Sequence, residues 1–324
     1  MNDVAREAGV ALRTVSRYVN GATNIDPELA DRIGQAIDSL GYRRNLAAAR
    51  IRPGWDSKVL GLIIGDLSNP YYSVLTRAIE KEASSRGYLL ITASSEEDGN
   101  RHDRLVDRLI EQRVDGLIVV PPHRAGRRWS DLPGVLPPLV FLDRPVLDFP
   151  ADAVLSDNSG GAHEAVTALM AAGARSVAFV GDALSIYTLE RRMIGYERAL
   201  QEAGQPVRPE LVCTDAHTDE QARLAVARLI AETAADAVFA ANNRSAIGAL
   251  MAFRDASRRL PLIGFDDFDT ASLLQPAVSV VSQDVPRMGT TAARLLIEQL
   301  NGHESARANH VLPTTLLLRG SERA

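Results

Sequence analysis

The chain has 324 residues, 46% of them hydrophobic, one cysteine, and a formal net charge of −5. That length suits two or three domains, and that apolar content can bury sizeable cores. The lone Cys213 excludes an internal disulfide, and no apolar run reaches the roughly 20 residues of a membrane span or resembles a signal peptide. The expected setting is a reducing cytoplasm, with no membrane partner.

Charge is unevenly distributed. Residues 1–60 carry nine Lys/Arg against seven Asp/Glu, and the remainder carries 27 against 34. A mildly basic head on an acidic body fits a small nucleic-acid module joined to something else.

Asp3 to Ala8 reads as a short helix with Val4, Ala5 and Ala8 inward. Gly9 suits a tight turn. Ala11 to Asn20 reads as a second helix, with Val15 and Val19 one turn apart on its inner face. Arg13, Thr14, Ser16, Arg17 and Asn20 lie opposite, all able to bond bases or phosphates. Two helices about a glycine turn make a helix-turn-helix, whose second helix fits the major groove of double-stranded DNA. An ordinary helical hairpin with solvated arginines satisfies the same local pattern. Asp26-Pro27 opens a third helix with an apolar stripe of Leu29, Ile33, Ala36, Ile37 and Leu40, ended by Gly41. The Ala/Arg-rich segment Arg43–Arg52 stops at Pro53-Gly54, a domain boundary.

From Val59 onward the pattern alternates strand and helix. Expected strands are 59–64, 88–92, 116–120, 139–142, 153–155, 176–180, 211–213, 237–240 and 260–264. Helical patterns lie between most of them. Such alternation predicts parallel sheets covered by helices on both faces, in two units enclosing a cleft.

The motifs DVAREAGVALRTVSRYVNG, LGLIIGDLSNPYY, VFLDRP, ERRMIGYERAL, FAANNRSAIGAL and LIGFDDFD follow one another in order. With them the chain resembles the lactose/galactose-repressor family of bacterial transcription regulators over nearly its whole length. The resemblance implies an α/β protein: a three-helix head with a hinge helix, then a two-lobed body like a periplasmic binding protein. It divides the chain into a helix-turn-helix domain at 1–44, a hinge and linker at 45–58, and an effector-binding and dimerisation domain at 59–324. Lobe 1 would span about 59–157 plus 284–304, and lobe 2 about 158–283 plus 305–324.

For DNA, the resemblance implies that Leu12, Arg13 and Arg17 face base edges, while Thr14, Ser16 and Asn20 hold phosphates. It makes Asn45–Arg52 a hinge helix entering the minor groove, with Ile51 as wedge and Ala48 on the same face. A plain linker is the alternative. For the effector, it implies Asn69, Tyr71 and Tyr72 after the first strand, then Asp143, Arg144 and Asp157 at later strand ends. Arg192, Asn242 and Asp266 match the family's cleft residues, and His217 stands where an aromatic is usual. Gln283 marks the last crossover between lobes. Such a set suits a small carbohydrate, because each hydroxyl both donates and accepts. For each residue singly, a helix cap or loop ion pair is the alternative.

Several positions depart from the family's pattern. Ala11 replaces a capping serine, Arg44 a proline, and Pro53 comes early. Either Asn2 caps the first helix or the natural start lies upstream. The tail has no apolar heptads, so the implied assembly is a homodimer on a near-palindromic operator.

An enzyme is the competing class. The chain contains no GxxxxGK[ST], GxSxG or HExxH. Catalysis, a metal and a cofactor are therefore not expected. A sugar receptor outside the cytoplasm would need a signal peptide and would not need residues 1–52.

Overall fold

The computed structural model describes residues 1–19, 21–22, 24–42, 57–124, 126–303 and 306–323. They fall into two units, Met1–Ser57 and Lys58–Ala324.

In the first unit α1 is Asn2–Ala8, α2 is Leu12–Val19 and α3 is Pro27–Ser39. Val4, Ala5, Ala8, Val15, Ile33 and Ala36 form its core, flanked by Val10, Tyr18, Val19, Ile37 and Tyr42. Val15 and Ile33 are fully buried. Each such side chain contributes roughly 1.5–3 kcal/mol, so one polar substitution there would unravel so small a bundle. Gly9 ends α1 at φ 62°, a left-handed turn that favours glycine. Arg32 of α3 donates to the carbonyls of Ala8 and Gly9, satisfying groups the helix end leaves open. Asp26 caps α3 by accepting from the amides of Glu28 and Leu29. Met1, not Asn2, occupies the cap position of α1, with no side-chain bond, because Asn2 already belongs to the helix. Asn20, Asn45, Ala48, Ile51 and the expected hinge helix lie outside the described residues.

The second unit begins with β1 (Val59–Ile64), α4 (Pro70–Ser85), β2 (Leu89–Ser94), α5 (Gly99–Glu111), β3 (Gly116–Val119), β4 (Leu139–Leu142) and β5 (Asp152–Ser156). It continues with α6 (Asn158–Ala171), β6 (Val177–Val180), α7 (Tyr187–Glu202), β7 (Val212–Cys213), α8 (Asp219–Glu232), β8 (Ala237–Ala240), α9 (Asn243–Ala256) and β9 (Leu262–Phe265). It closes with β10 (Ser279–Gln283), α10 (Val285–Leu300), β11 (Asn309–Leu312) and β12 (Thr314–Leu317).

These strands make two six-stranded sheets, ordered β11-β5-β4-β3-β1-β2 and β12-β10-β9-β8-β6-β7. The two orders correspond strand for strand, so β4 and β9 occupy equivalent places. Pairing is parallel throughout, except β12 against β10. The first sheet is covered on one face by α4 and α10, and on the other by α5 and Trp129. In the second, α8 and α9 cover one face and α6 and α7 the other. Strands such as β1, β3 and β4 are buried along their whole length, which is why they read as unbroken apolar runs.

The chain passes between the sheets at Asp157, at Asp284 and at Pro313. The first and third passages touch: Asp157 N–H donates to the carbonyl of Leu312 at 2.8 Å. Residues 309–312 therefore belong to the first sheet, paired with β5, and not to the second lobe to which the family resemblance assigned 305–324. Only the last part of that segment, β12, joins the second sheet.

Candidate functional site

In the head, the start of α2 presents Leu12, Arg13 and Arg17 as exposed side chains, while Thr14 and Ser16 are half-buried. Val15 on the opposite side is buried against α1 and α3, which fixes the outward face. Arg17 donates to the side-chain and backbone oxygens of Asn24. One of its terminal nitrogens, Nη2, is thus held by Asn24.

In the body, side chains from both sheets converge on one cleft enclosing about 670 Å³, part of it open solvent. Of the residues singled out by sequence, Asn69, Tyr71, Tyr72, Asp143, Arg144, Arg192, Asn242, Asp266 and Gln283 line it. All but Arg192 follow strand ends or stand at a crossover, where open α/β sheets leave room for ligands.

Arg192 lies on α7, one turn after Thr188. Gly195 lets α7 approach α6 closely, since an added Cβ would sit 2.2 Å from the carbonyl oxygen of Ser159. This brings the Arg192 Nε within 2.8 Å of Asn158 Oδ1. Its Nη1 donates to the Ala241 carbonyl at 2.7 Å and to Asp266 Oδ2 at 3.2 Å. The guanidinium carbon stands 3.7 Å from the centre of the Phe265 ring. Such stacking adds roughly 1–2 kcal/mol when desolvated.

Asp143 and Asp266 each directly follow a strand, at φ 68° and 72°. Each donates its backbone N–H to the neighbouring strand, to Val154 and Val281 respectively, both at 2.9 Å. They are the same position of the two sheets, so the cleft is bracketed by one carboxylate from each lobe. Asp143 accepts from the Tyr71 hydroxyl at 3.2 Å. Burial raises the Asp143 carboxyl above the usual carboxylate range, and the charge of Asp266 adds to this, against Arg144 and Arg192. Burial likewise raises the phenols of Tyr71 and Tyr72, so both act as O–H groups.

Arg144 is buried and grips Glu97 through two parallel bonds of 2.8 Å. Its Nη1 also donates to the Pro121 carbonyl at 3.0 Å. Burial alone would raise the Glu97 carboxyl, but Arg144 holds it below the usual carboxylate range. The lobes touch directly as well. Arg244 pairs with Asp66 and donates to Ser68 Oγ at 3.1 Å, and Asn243 Nδ2 donates to Asn69 Oδ1 at 3.0 Å.

Two singled-out residues are not in the cleft lining. Asp157 is exposed and caps α6, accepting from Gly160 N–H at 2.8 Å. It marks a passage between the lobes, so its strand-end position leads to the hinge and not the pocket. His217 is exposed and bonds Asp182, which does line the cleft. Asn69 and Asn242 are both helix caps, of α4 and α9, and cleft residues.

Sequence reasoning missed Asp66, Glu97, Asp182, Thr188, Asn243 and Arg244. Asp66 and Glu97 follow β1 and β2, so the strand-end rule that found Asp143 would have found them. Thr188 lies four residues before Arg192, on the same face of α7. Among the described residues no group of three His, Cys, Asp or Glu side chains could hold a metal ion, and no helix is long and apolar enough to cross a membrane.

This geometry agrees with comparisons to known proteins. Residues 1–45 match the family of bacterial regulatory proteins, lacI family, and residues 166–322 match the periplasmic binding protein-like domain. Catabolite control protein A of Priestia megaterium is 31% identical over 310 residues, spanning 92% of this chain and 92% of that relative. A structure of the transcriptional regulator CelR–cellobiose complex superposes with a TM-score of 0.73 at 28% identity, covering 99% of this chain and 98% of the other. The lac repressor dimer bound to operator and the anti-inducer ONPF shares the fold, with a TM-score of 0.86 at 23% identity over 99% and 98% of the two chains. The chain belongs to the LacI family of bacterial regulatory proteins and is a DNA-binding transcription regulator, not an enzyme.

Proposed function

We propose that this regulator works as a homodimer on a near-palindromic operator, and that a small carbohydrate bound between its lobes controls its affinity for DNA. One observation carries the reading: both lobes aim carboxylates, amides and a guanidinium into a single cleft. A ligand that bonds both lobes favours one relative arrangement of them, and only such a preference can shift an equilibrium. Coupling of about 1–3 kcal/mol is the usual size of such a switch.

Within this reading, Leu12, Arg13 and Arg17 read base edges and Thr14, Ser16 and Asn20 hold phosphates. Domain limits of 1–44, 45–58 and 59–324 go with it, and Asn45, Ala48 and Ile51 belong to a hinge that enters the minor groove. Asn69, Tyr71, Tyr72, Asp143, Arg144, Arg192, Asn242, Asp266 and Gln283 contact the effector. CelR, a relative of similar length, is captured with cellobiose, which favours a sugar. The dimer is supported by β2, an edge strand that exposes Leu89 and Ile91. An apolar, unpaired strand edge requires cover.

The test is selection of bound duplexes from a random pool, followed by titration of the selected site with glucose, ribose and cellobiose. Enrichment of a near-palindrome whose Kd shifts at least ~5-fold with one sugar is expected. No enriched palindrome would remove the operator half of the proposal. An enriched operator indifferent to every sugar would remove the effector half.

A further inference from the structure

The charges of the cleft say more about its ligand, provided that the cleft is the effector site. Its lining holds five carboxylates, Asp66, Glu97, Asp143, Asp182 and Asp266, against three guanidiniums, Arg144, Arg192 and Arg244. All three guanidiniums already have carboxylate partners. Arg144 spends its fork on Glu97, Arg192 bonds Asp266, and Arg244 pairs with Asp66. Each guanidinium that an incoming anion could meet is already shared with a carboxylate, and the lining carries two more carboxylates than guanidiniums. We propose that Glu97, by filling the fork of Arg144, closes the cleft to anions, so that the effector is an uncharged polyhydroxylated molecule and not a sugar phosphate or sugar acid.

Helix N-termini attract anions and oppose this reading. Three helices begin at the cleft. Asn69 and Asn242 occupy amides at the starts of α4 and α9. The start of α7 has no side-chain cap, but Asp182 lines the cleft together with Ile186 there.

Two buried polar atoms of cleft residues lack a hydrogen bond. Gln283 Oε1 is an acceptor without a hydrogen bond, on a side chain 8% exposed. Arg144 Nε is a donor without a hydrogen bond, on a residue 7% exposed and 3.5 Å from Asp143 Oδ2. One needs a donor and the other an acceptor, and a hydroxyl supplies both. Glu97 itself is held in place by its backbone N–H, which bonds the Gly65 carbonyl at 3.2 Å, and by the His123 N–H on its carboxylate at 3.3 Å.

The experiment compares matched ligands by titration calorimetry and thermal shift on the full-length protein. The pairs are ribose with ribose 5-phosphate, and glucose with glucose 6-phosphate and gluconate, plus cellobiose and inorganic phosphate. Wild type should bind a neutral sugar at least ~10-fold more tightly than its charged counterpart, a difference of about 1.4 kcal/mol. Glu97→Gln should gain binding of inorganic phosphate or the phosphate ester, and adding Arg144→Met should abolish that gain. A wild type that prefers a phosphate or an acid overturns the inference, and this comparison stands even if the variants fail to fold. A folded Glu97→Gln protein that gains no anion binding overturns the role of Glu97. Silence from every ligand with operator binding intact defeats the carbohydrate reading itself, and this inference with it.

Discussion

The two lobes each bury one guanidinium at the cleft and satisfy it differently. In the first lobe Arg144 meets Glu97 charge to charge, with both terminal nitrogens engaged. In the second, Arg192 spreads its bonds over an amide oxygen, a backbone carbonyl and one oxygen of Asp266, and stacks on Phe265. The backbone plan is the same, since Asp143 and Asp266 follow equivalent strands in the same left-handed conformation. A closed ion pair is vulnerable to loss of one partner. A guanidinium held mainly by neutral acceptors keeps more of its charge for a ligand. On the proposed reading, the first lobe sets what is excluded, and the second provides more of the grip.

Three substitutions or conditions would break or sharpen that contrast. The largest effect is expected from Arg144→Met, which strands the Glu97 carboxylate. Stranding a buried partner costs about 3–5 kcal/mol, and the half-buried Glu97 places this case near the lower value. Urea denaturation of the full chain measures it, and a loss below ~1 kcal/mol would show that solvent already screens the pair. Next is Arg192→Met, expected to cost about 2 kcal/mol of stability through lost charge-assisted bonds. Its distinguishing outcome is functional: operator affinity measured with and without the effective sugar should become equal. A response that survives would place the effector elsewhere.

The smallest effect concerns the contact between lobes. Burial alone would raise the Asp66 carboxyl, but Ser68 and Arg244 hold it below the usual range. A depressed carboxyl contributes its stabilisation above its ordinary pKa and loses it as pH falls through the lowered value. The urea stability of the full chain should therefore keep the Asp66 contribution from neutrality down to about pH 5 and lose it below about pH 4. In Arg244→Ala the low-pH component assigned to Asp66 should shrink. An unchanged profile in that variant would assign the acid effect to other cleft carboxylates.

Much of this organisation was legible from residue order, and the exceptions share a cause. The strands of both sheet interiors stand out as apolar runs because parallel strands are buried on both faces. The head was legible because Val15 and Val19 in one helix, and Leu29, Ile33 and Ala36 in another, recur at helical spacing, with Gly9 and Asp26 at helix ends. By contrast β11, Asn309–Leu312, is a polar edge strand with two exposed residues, so nothing local announces its pairing with β5. Asp157 looked like its fellow strand-end aspartates, yet its strand leads to the passage between lobes. Glu97 follows β2 as Asp143 follows β4, but its pairing with Arg144, 47 positions later, is not written in any local pattern.

Sequence by itself determined most of the interior strands and the helices between them, and that polar groups gather at strand ends. These follow from periodicity, capping and burial, which act over a few residues. Tertiary structure decided which carboxylate neutralises which guanidinium, which strand-end aspartate reaches the cleft, and which sheet takes the last strands. Those outcomes depend on distances between residues far apart in the chain, set only when two sheets and their three connecting passages are packed together.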